Sequence, residues 1–558
     1  GGAGYDQTRA DFDFDRGSNA AATRINSSGL IEKYRENLLT FSNDFSNAAW
    51  PKGNVSLTAN QTDPNGGTNA FLATTTNTNG AYFYQNISVS GIECMSVYAK
   101  AGTRSNFSII PSSFGNGAHF DLISKTSSVS GVGVASSIEA VGNGWYRCSV
   151  SVTAGTNMLI SLSIINGGGM TIGDTMVFAN AQQESGLVAT DYLNSTSVTA
   201  KAGVLIDLPR INYDANGENG ALLLEPSRQN LVQFSEYFGA SYWTKNGASV
   251  AGSFVSPDGS SNATKLVENS SNSDHQIYRN TVTTSGSFSN TIFIKAAERS
   301  KIRVNSGSSS EQVKFDLSNG TIISQAGATG NIVSMLNGWY KCTISWSVGS
   351  IAAQYFFIGI LDDNGNAVYQ GNGSSGIYIF GAQMESNATY ATSYIPNHSG
   401  TGGVTRAADS CSVTGASDVI GQTEGTLFLD ITGESLQENS RYMAIGNYAD
   451  STNRLLIYQS SNVINVYCGA GTPFNMTHNP SSGRLKIAVG YSAGDYAFYV
   501  NGVQAGLSNN SGVPTCSEVS FGLNEITTAT LPPSIGYNQA ALFNERLTNA
   551  ELATLTTL

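Results

Sequence analysis

Gly490-Tyr491-Ser492-Ala493-Gly494 has the G-x-S-x-G spacing that exposes a nucleophilic serine when it sits between a strand and a helix. Here the alternating Asp495-Tyr496-Ala497-Phe498-Tyr499-Val500 follows, so the spacing reads as a hairpin loop. Gly371-Asn372-Gly373-Ser374-Ser375-Gly376 fits G-x-G-x-x-G, but Ile377-Tyr378-Ile379-Phe380 after it is a strand and not a phosphate-binding helix. Asp362-Asp363-Asn364-Gly365-Asn366 and Asp214-Ala215-Asn216-Gly217-Glu218 offer oxygen ligands at spacing two, yet both lack the distal bidentate Glu of a calcium loop. The four histidines (His119, His275, His398 and His478) lie far apart, and none of the six cysteines sits in a C-x-x-C pair, so no metal or cofactor is expected. Glu184 and Glu385 could be a glycosidase pair only if both faced one sugar. They occupy the same place in two copies of a repeat, which makes them framework, and no catalytic residue is expected.

What remains is binding chemistry. Aromatic faces stack on sugar rings while Asn, Asp and Gln hydrogen-bond the hydroxyls, each stacking contact contributing on the order of 1 kcal/mol. Trp50 aligns with Trp243 and Trp145 with Trp339, so these four are packing residues, with Trp346 unmatched. Better binding candidates are aromatics that differ between copies: Tyr82, opposite Gln276, with its neighbour Tyr84, and the region of His275 and Tyr278.

The elements that must position them come from an internal duplication. Asn37-Leu38-Leu39-Thr40-Phe41-Ser42 recurs as Asn230-Leu231-Val232-Gln233-Phe234-Ser235, an offset of 193 residues. The same offset carries Asp63-Pro64-Asn65-Gly66 onto Ser256-Pro257-Asp258-Gly259. With small shifts, Phe120-Asp121-Leu122 matches Phe315-Asp316-Leu317, Gly144-Trp145-Tyr146-Arg147-Cys148 matches Gly338-Trp339-Tyr340-Lys341-Cys342, and Ala181-Gln182-Gln183-Glu184 matches Ala382-Gln383-Met384-Glu385. His119 falls opposite Lys314, a solvent-facing polar position. Within a copy, Val313, Phe315 and Leu317 alternate with polar residues before Asn319-Gly320, expected as a type I′ hairpin turn.

Composition agrees with strands. Only 12% of the 558 residues are charged against about 25% in an average soluble protein, while glycine contributes 61. The length predicts three or four folded units. A net charge of -12 leaves no clustered cations for nucleic acid, and the longest apolar run, 355–361, is far below the roughly 20 residues that cross a bilayer as a helix. Gly1 is not an initiator Met, and no signal peptide is visible. The widely spaced thiols fit buried small hydrophobes made in a reducing cytoplasm. After Asp409 the repeat stops; Leu427, Leu429 and Ile431 alternate, as do Tyr496, Phe498 and Val500 ahead of Asn501-Gly502. Thr548-Asn549-Ala550-Glu551 is a capping box for one short C-terminal helix. The expected fold is all-β: an N-terminal attachment or linker segment 1–36, a sandwich 37–202, a connector hairpin 203–229, a second sandwich 230–408, and a third sandwich 409–558.

Leu222-Leu223-Leu224-Glu225-Pro226-Ser227-Arg228-Gln229-Asn230-Leu231, Thr23-Arg24-Ile25-Asn26-Ser27-Ser28-Gly29-Leu30-Ile31-Glu32, and Ala382-Gln383-Met384-Glu385 followed by Tyr394-Ile395-Pro396 and Val404-Thr405-Arg406-Ala407-Ala408-Asp409 resemble a family of tailed-bacteriophage virion proteins. The resemblance implies fibres, tail-associated adhesins and capsid-attached appendages built from carbohydrate-binding-module-like jelly rolls. Residues after Asp409, closing with Ala541-Leu542-Phe543-Asn544, resemble a concanavalin-A-like (laminin-G-like) lectin sandwich. The function so implied is a non-enzymatic virion structural protein, a head or tail fibre or capsid decoration. It would assemble in the host cytoplasm as a homotrimer with other virion proteins and bind host-surface glycans. A polysaccharide depolymerase and a purely architectural capsid cement are the alternatives.

Overall fold

A computed structural model describes residues 12–558 apart from short segments at 19–20, 88, 114, 156, 163–168, 308–309, 434–439, 448–449, 451, 461–462, 480–482, 526–527 and 531–533. It is built almost wholly of antiparallel strands, with one α-helix, Asn549–Leu555, among the described residues. Three hydrophobic cores, one for each sandwich, account for most of the buried apolar side chains.

The first sandwich pairs two six-stranded sheets. One runs Thr126–Ser130, Gly117–Asp121, Asn106–Ile110, Met158–Ser161, Tyr82–Gln85, Lys52–Gly53; the other runs Gly133–Gly142, Trp145–Gly155, Val89–Ala101, Thr175–Ser185, Ala70–Thr75, Val55–Gln61. The second sandwich repeats this connectivity and also pairs Val368–Gln370 with the start of Asn272–Ala296. Its difference is continuity: Asn272–Ala296 and Trp339–Leu361 each run through both sheets, bending at register shifts near Asn280 and Thr284, where the first copy breaks into separate strands. Two segments of one chain thus share one strand order.

Local chemistry explains the shared framework. Asn37 Nδ2 donates to the carbonyls of Ala181 and Leu193 while its Oδ1 accepts from the N–H groups of Leu39 and Gln183. Asn230 does the same with Ala382, Ile395, Val232 and Met384. The indoles of Trp50 and Trp243 donate to the carbonyls of Phe41 and Phe234, both of which sit at positive φ. All five tryptophans are buried. Asn143-Gly144 and Asn337-Gly338, both residues of each pair at positive φ, turn the chain into Trp145 and Trp339. At Asn319-Gly320 the hairpin forms, but only Gly320 is left-handed: Asp316 pairs with Thr321, leaving a four-residue loop in place of the expected type I′ turn. Asn501-Gly502 is the two-residue turn with both φ positive.

The third sandwich is completed by strands from far upstream. Its two seven-stranded sheets take Asp13–Asp15, paired with Ser410–Thr414, and Ala221–Leu224, paired with Ile535–Phe543. Leu224 is buried in its core, with Leu222 and Phe14 packed alongside. The helix caps one face through Leu552, its Thr548 side chain and Glu551 forming the expected capping box.

These crossings meet at a buried ionic junction. Glu225 accepts from Arg210 at 2.7 Å and lies 2.9 Å from Arg406, while Asp409 takes Arg16 at 3.2 Å and a second contact from Arg210. Ser393 adds its N–H and hydroxyl to Glu225.

Candidate functional site: an aromatic sheet face

Period-two alternation decides what each sandwich shows to solvent. In the second copy Ile277, Phe356, Ile358, Ile302, Val304, Val313 and Phe315 point into the core, so Gln276, Tyr278, Tyr355, Phe357, Arg303 and Asn305 lie on the outer face of the same sheet. The register sets Tyr278 beside Phe357, whose rings stack at 5.8 Å with 22° between planes, and Tyr355 closes the group at 6.1 Å from Tyr278. The Arg303 guanidinium lies 4.9 Å from the Phe357 ring centre and donates to Asp274 at 3.0 Å and to Gln276 at 3.1 Å. Tyr278 and Tyr355 are half-buried, which leaves part of each ring open. The arrangement is an apolar floor with an oriented cation and two side-chain oxygens at its margin. It can stack a sugar ring and hydrogen-bond its hydroxyls.

The first copy offers the equivalent face with different residues. Gly53 pairs with Tyr82 as Asn246 pairs with Gln276, which makes Tyr84 the counterpart of Tyr278. Tyr82 and Tyr84 point outward together, rings 6.1 Å apart, and the Tyr82 ring covers Gly53 so closely that a Cβ there would lie 2.5 Å from it. Leu159 and Ile110, next to Tyr84 along the row, are buried, as are Ser161 and Ser108 next to Tyr82. His119 stands at the end of that row, its Nδ1 3.3 Å from the Ser108 hydroxyl, and burial depresses its pKa. This face is more closed than its twin.

The fold thus brings Tyr82 and Tyr84 to one face and Tyr278 to the matching face. His275 lies elsewhere. It is 1% exposed, with Nδ1 2.6 Å from the Gly247 carbonyl, Nε2 3.2 Å from that of Tyr369, and its ring against Tyr369. Sequence reading passed over Tyr355, Phe357, Arg303 and Asp274. The signal was present: in Tyr355-Phe356-Phe357, alternation puts the outer two on one face. Glu184 and Glu385 are buried, accept from Thr190 and Thr392, and have pKa values raised by that burial.

No family model and no curated protein matches the chain. Among solved structures it is similar to the CBM40 of the Ruminococcus gnavus IT-sialidase (12% identity, TM-score 0.23, covering 25% of this chain and 86% of that one). It is similar also to the tandem CBM22-1–CBM22-2 domain of Paenibacillus barcinonensis Xyn10C (12% identity, TM-score 0.21, 66% and 98%) and to a putative carbohydrate binding protein from Bacteroides ovatus (10% identity, TM-score 0.22, 52% and 82%).

Apart from this face, a cleft of roughly 1420 Å³ opens between the two copies, lined on one side by Leu30, Ile31, Glu32 and Lys33 of the N-terminal hairpin. Its walls mix apolar side chains with polar ones, among them Ser136, Ser149, Glu139 and Arg147 from the first copy and Glu236, Asp258 and His398 from the second.

The six cysteines are buried and unbridged, and burial pushes the thiols of Cys411 and Cys516 up to about 12. Asp362 and Asp214 each accept backbone N–H groups from their own loops. Among the described residues no group of three or more His, Cys, Asp or Glu could hold a metal.

Proposed function

We propose that the chain is a non-enzymatic glycan-binding protein whose sandwich faces engage carbohydrate, with the Tyr278–Phe357–Arg303 face of the second copy as the principal site. The observation that carries the reading is that platform: a partly open Tyr278 ring stacked on a buried Phe357, bordered by a guanidinium that Asp274 and Gln276 hold in place. The phage-like phrases extend the proposal to a virion: a head or tail fibre or decoration protein, homotrimeric, joined to other virion proteins and displaying these faces to host-surface glycans. Repetition favours it, since several weak sites on one particle raise avidity by roughly 10²- to 10⁴-fold when they engage together.

Glycan-array binding by the intact chain, followed by adsorption to cells carrying the bound glycan, tests the reading. Binding that falls with Tyr278→Ala supports it. Steady release of new reducing ends from host polysaccharide makes the protein a depolymerase instead, and no binding to any glycan or cell leaves an architectural cement.

A further inference from the structure

The N-terminal hairpin delivers one amine into the second sandwich. Ile31 packs with Ala263, Phe293, Trp339, Phe380 and Tyr394, and its N–H donates to the Pro257 carbonyl. That docking places Lys33 Nζ 2.7 Å from Glu236 Oε1 and 2.7 Å from Asp258 Oδ2, at 5.1 Å from the centre of the Phe380 ring. Asn262 closes the group: its Nδ2 donates to Glu236 Oε2 at 3.0 Å and to Asp258 Oδ2 at 3.2 Å. Glu236 therefore holds the lysine amine on one oxygen and the asparagine amide on the other. Asn262 Oδ1 is buried with no partner, unlike the framework Asn230, whose Oδ1 accepts two backbone N–H groups.

At the same offset the first copy carries Asn43 and Asn65 where the second has Glu236 and Asp258, and Asn69 where it has Asn262. The two acids occur in the copy that receives the lysine.

We propose that Lys33 and Asn262 are the reactants of an intramolecular isopeptide bond, with Glu236 as the proton shuttle, that ties the N-terminal hairpin covalently to the second sandwich. Glu236 takes a proton from the Nζ ammonium, and the neutral amine attacks Cγ of Asn262 to form the new C–N bond. The Cγ–Nδ2 bond breaks as Glu236 passes its proton to Nδ2, and ammonia leaves, taking up the remaining proton as ammonium. Charge and atoms balance without oxidant or cofactor. Burial opposes the charge on Lys33, but Asp258 and then Glu236 outweigh it, and Asp258 is itself held down to about 2, so the charged pair is the resting state. Transfer of the Nζ proton to Glu236 is therefore the slow step, and it is needed only once per chain.

Intact mass of the full denatured chain decides. The expected value lies below the sequence mass by one ammonia, and tryptic mapping yields a branched peptide in which Lys33 is uncleaved and joined to Asn262. Lys33→Arg and Glu236→Gln each restore the full mass, the second while keeping both reactants. An unchanged wild-type mass reduces the cluster to an ion pair and overturns the proposal. Loss of one water instead also overturns it, by making a carboxylate the electrophile. Should either variant fail to fold, the wild-type measurement stands alone.

Discussion

Tyr278 is where residue chemistry meets the proposed binding. Its ring stacks on Phe357 and remains partly open, so Tyr278→Ala removes a sugar-stacking contact of about 1 kcal/mol and weakens glycan binding roughly fivefold. Isothermal titration with an array-selected oligosaccharide checks this, with thermal unfolding unchanged as the control for folding. Glu93 has a different consequence. It is wholly buried, holds one hydrogen bond from Gln183 at 2.6 Å, and burial pushes its pKa up to about 7 from an ordinary 4.5. A carboxyl that keeps its proton more tightly when folded contributes stability that is full below pH 4.5 and is lost as pH rises through about 7. The loss is about 2 to 3 kcal/mol. Denaturation midpoints between pH 5 and 8 should fall in the wild type and flatten in Glu93→Gln.

At the scale of elements, the twin asparagines hold the entry strand of each sandwich to its closing strand. Asn230→Ala leaves two buried carbonyls and two N–H groups unpaired, which costs about 3 kcal/mol or more. Because every tryptophan lies in the first two sandwiches, urea unfolding followed by fluorescence reports that loss directly. The C-terminal helix depends on its cap: Thr548→Ala costs about 1 kcal/mol, read as faster hydrogen exchange at 549–556 with fluorescence unfolding unaltered. Hairpins, the capping box and Asn501-Gly502 were legible because each is set by neighbours in sequence. The four-residue loop at 317–320 was not, because loop length follows from strand pairing across the sheet, which places Asp316 opposite Thr321.

For the whole molecule, the junction of Arg16, Arg210, Arg406, Glu225 and Asp409 joins the second sandwich to the third. Burial opposes ionisation of Glu225, yet Arg406 and Arg210 overcome it and hold its carboxylate well below the ordinary range. That stability is present above pH 4.5 and is lost as pH falls. Glu225→Ala leaves the buried Arg406 without a carboxylate and Arg210 with Asp409 alone, and costs about 3 to 5 kcal/mol. Leu224→Ala opens the core of the third sandwich, at a cost of about 2 to 4 kcal/mol, although residue 224 lies nearly 200 positions from that unit's own chain. In both variants far-ultraviolet circular dichroism should show a transition at milder denaturant than the wild type. For Leu224→Ala that transition should be silent to tryptophan fluorescence.

By itself, the sequence determined the strand character, since alternation and turn residues are carried by adjacent positions. Tertiary structure alone decided that Asp13–Asp15 and Ala221–Leu224 each join a different sheet of the third sandwich, hundreds of residues away, that Tyr355, Phe357 and Arg303 share a face with Tyr278, and that Lys33 meets Glu236 and Asn262. Strand pairing and buried charge pairing select partners by shape and exclusion of water, and neither leaves a periodic mark on the chain.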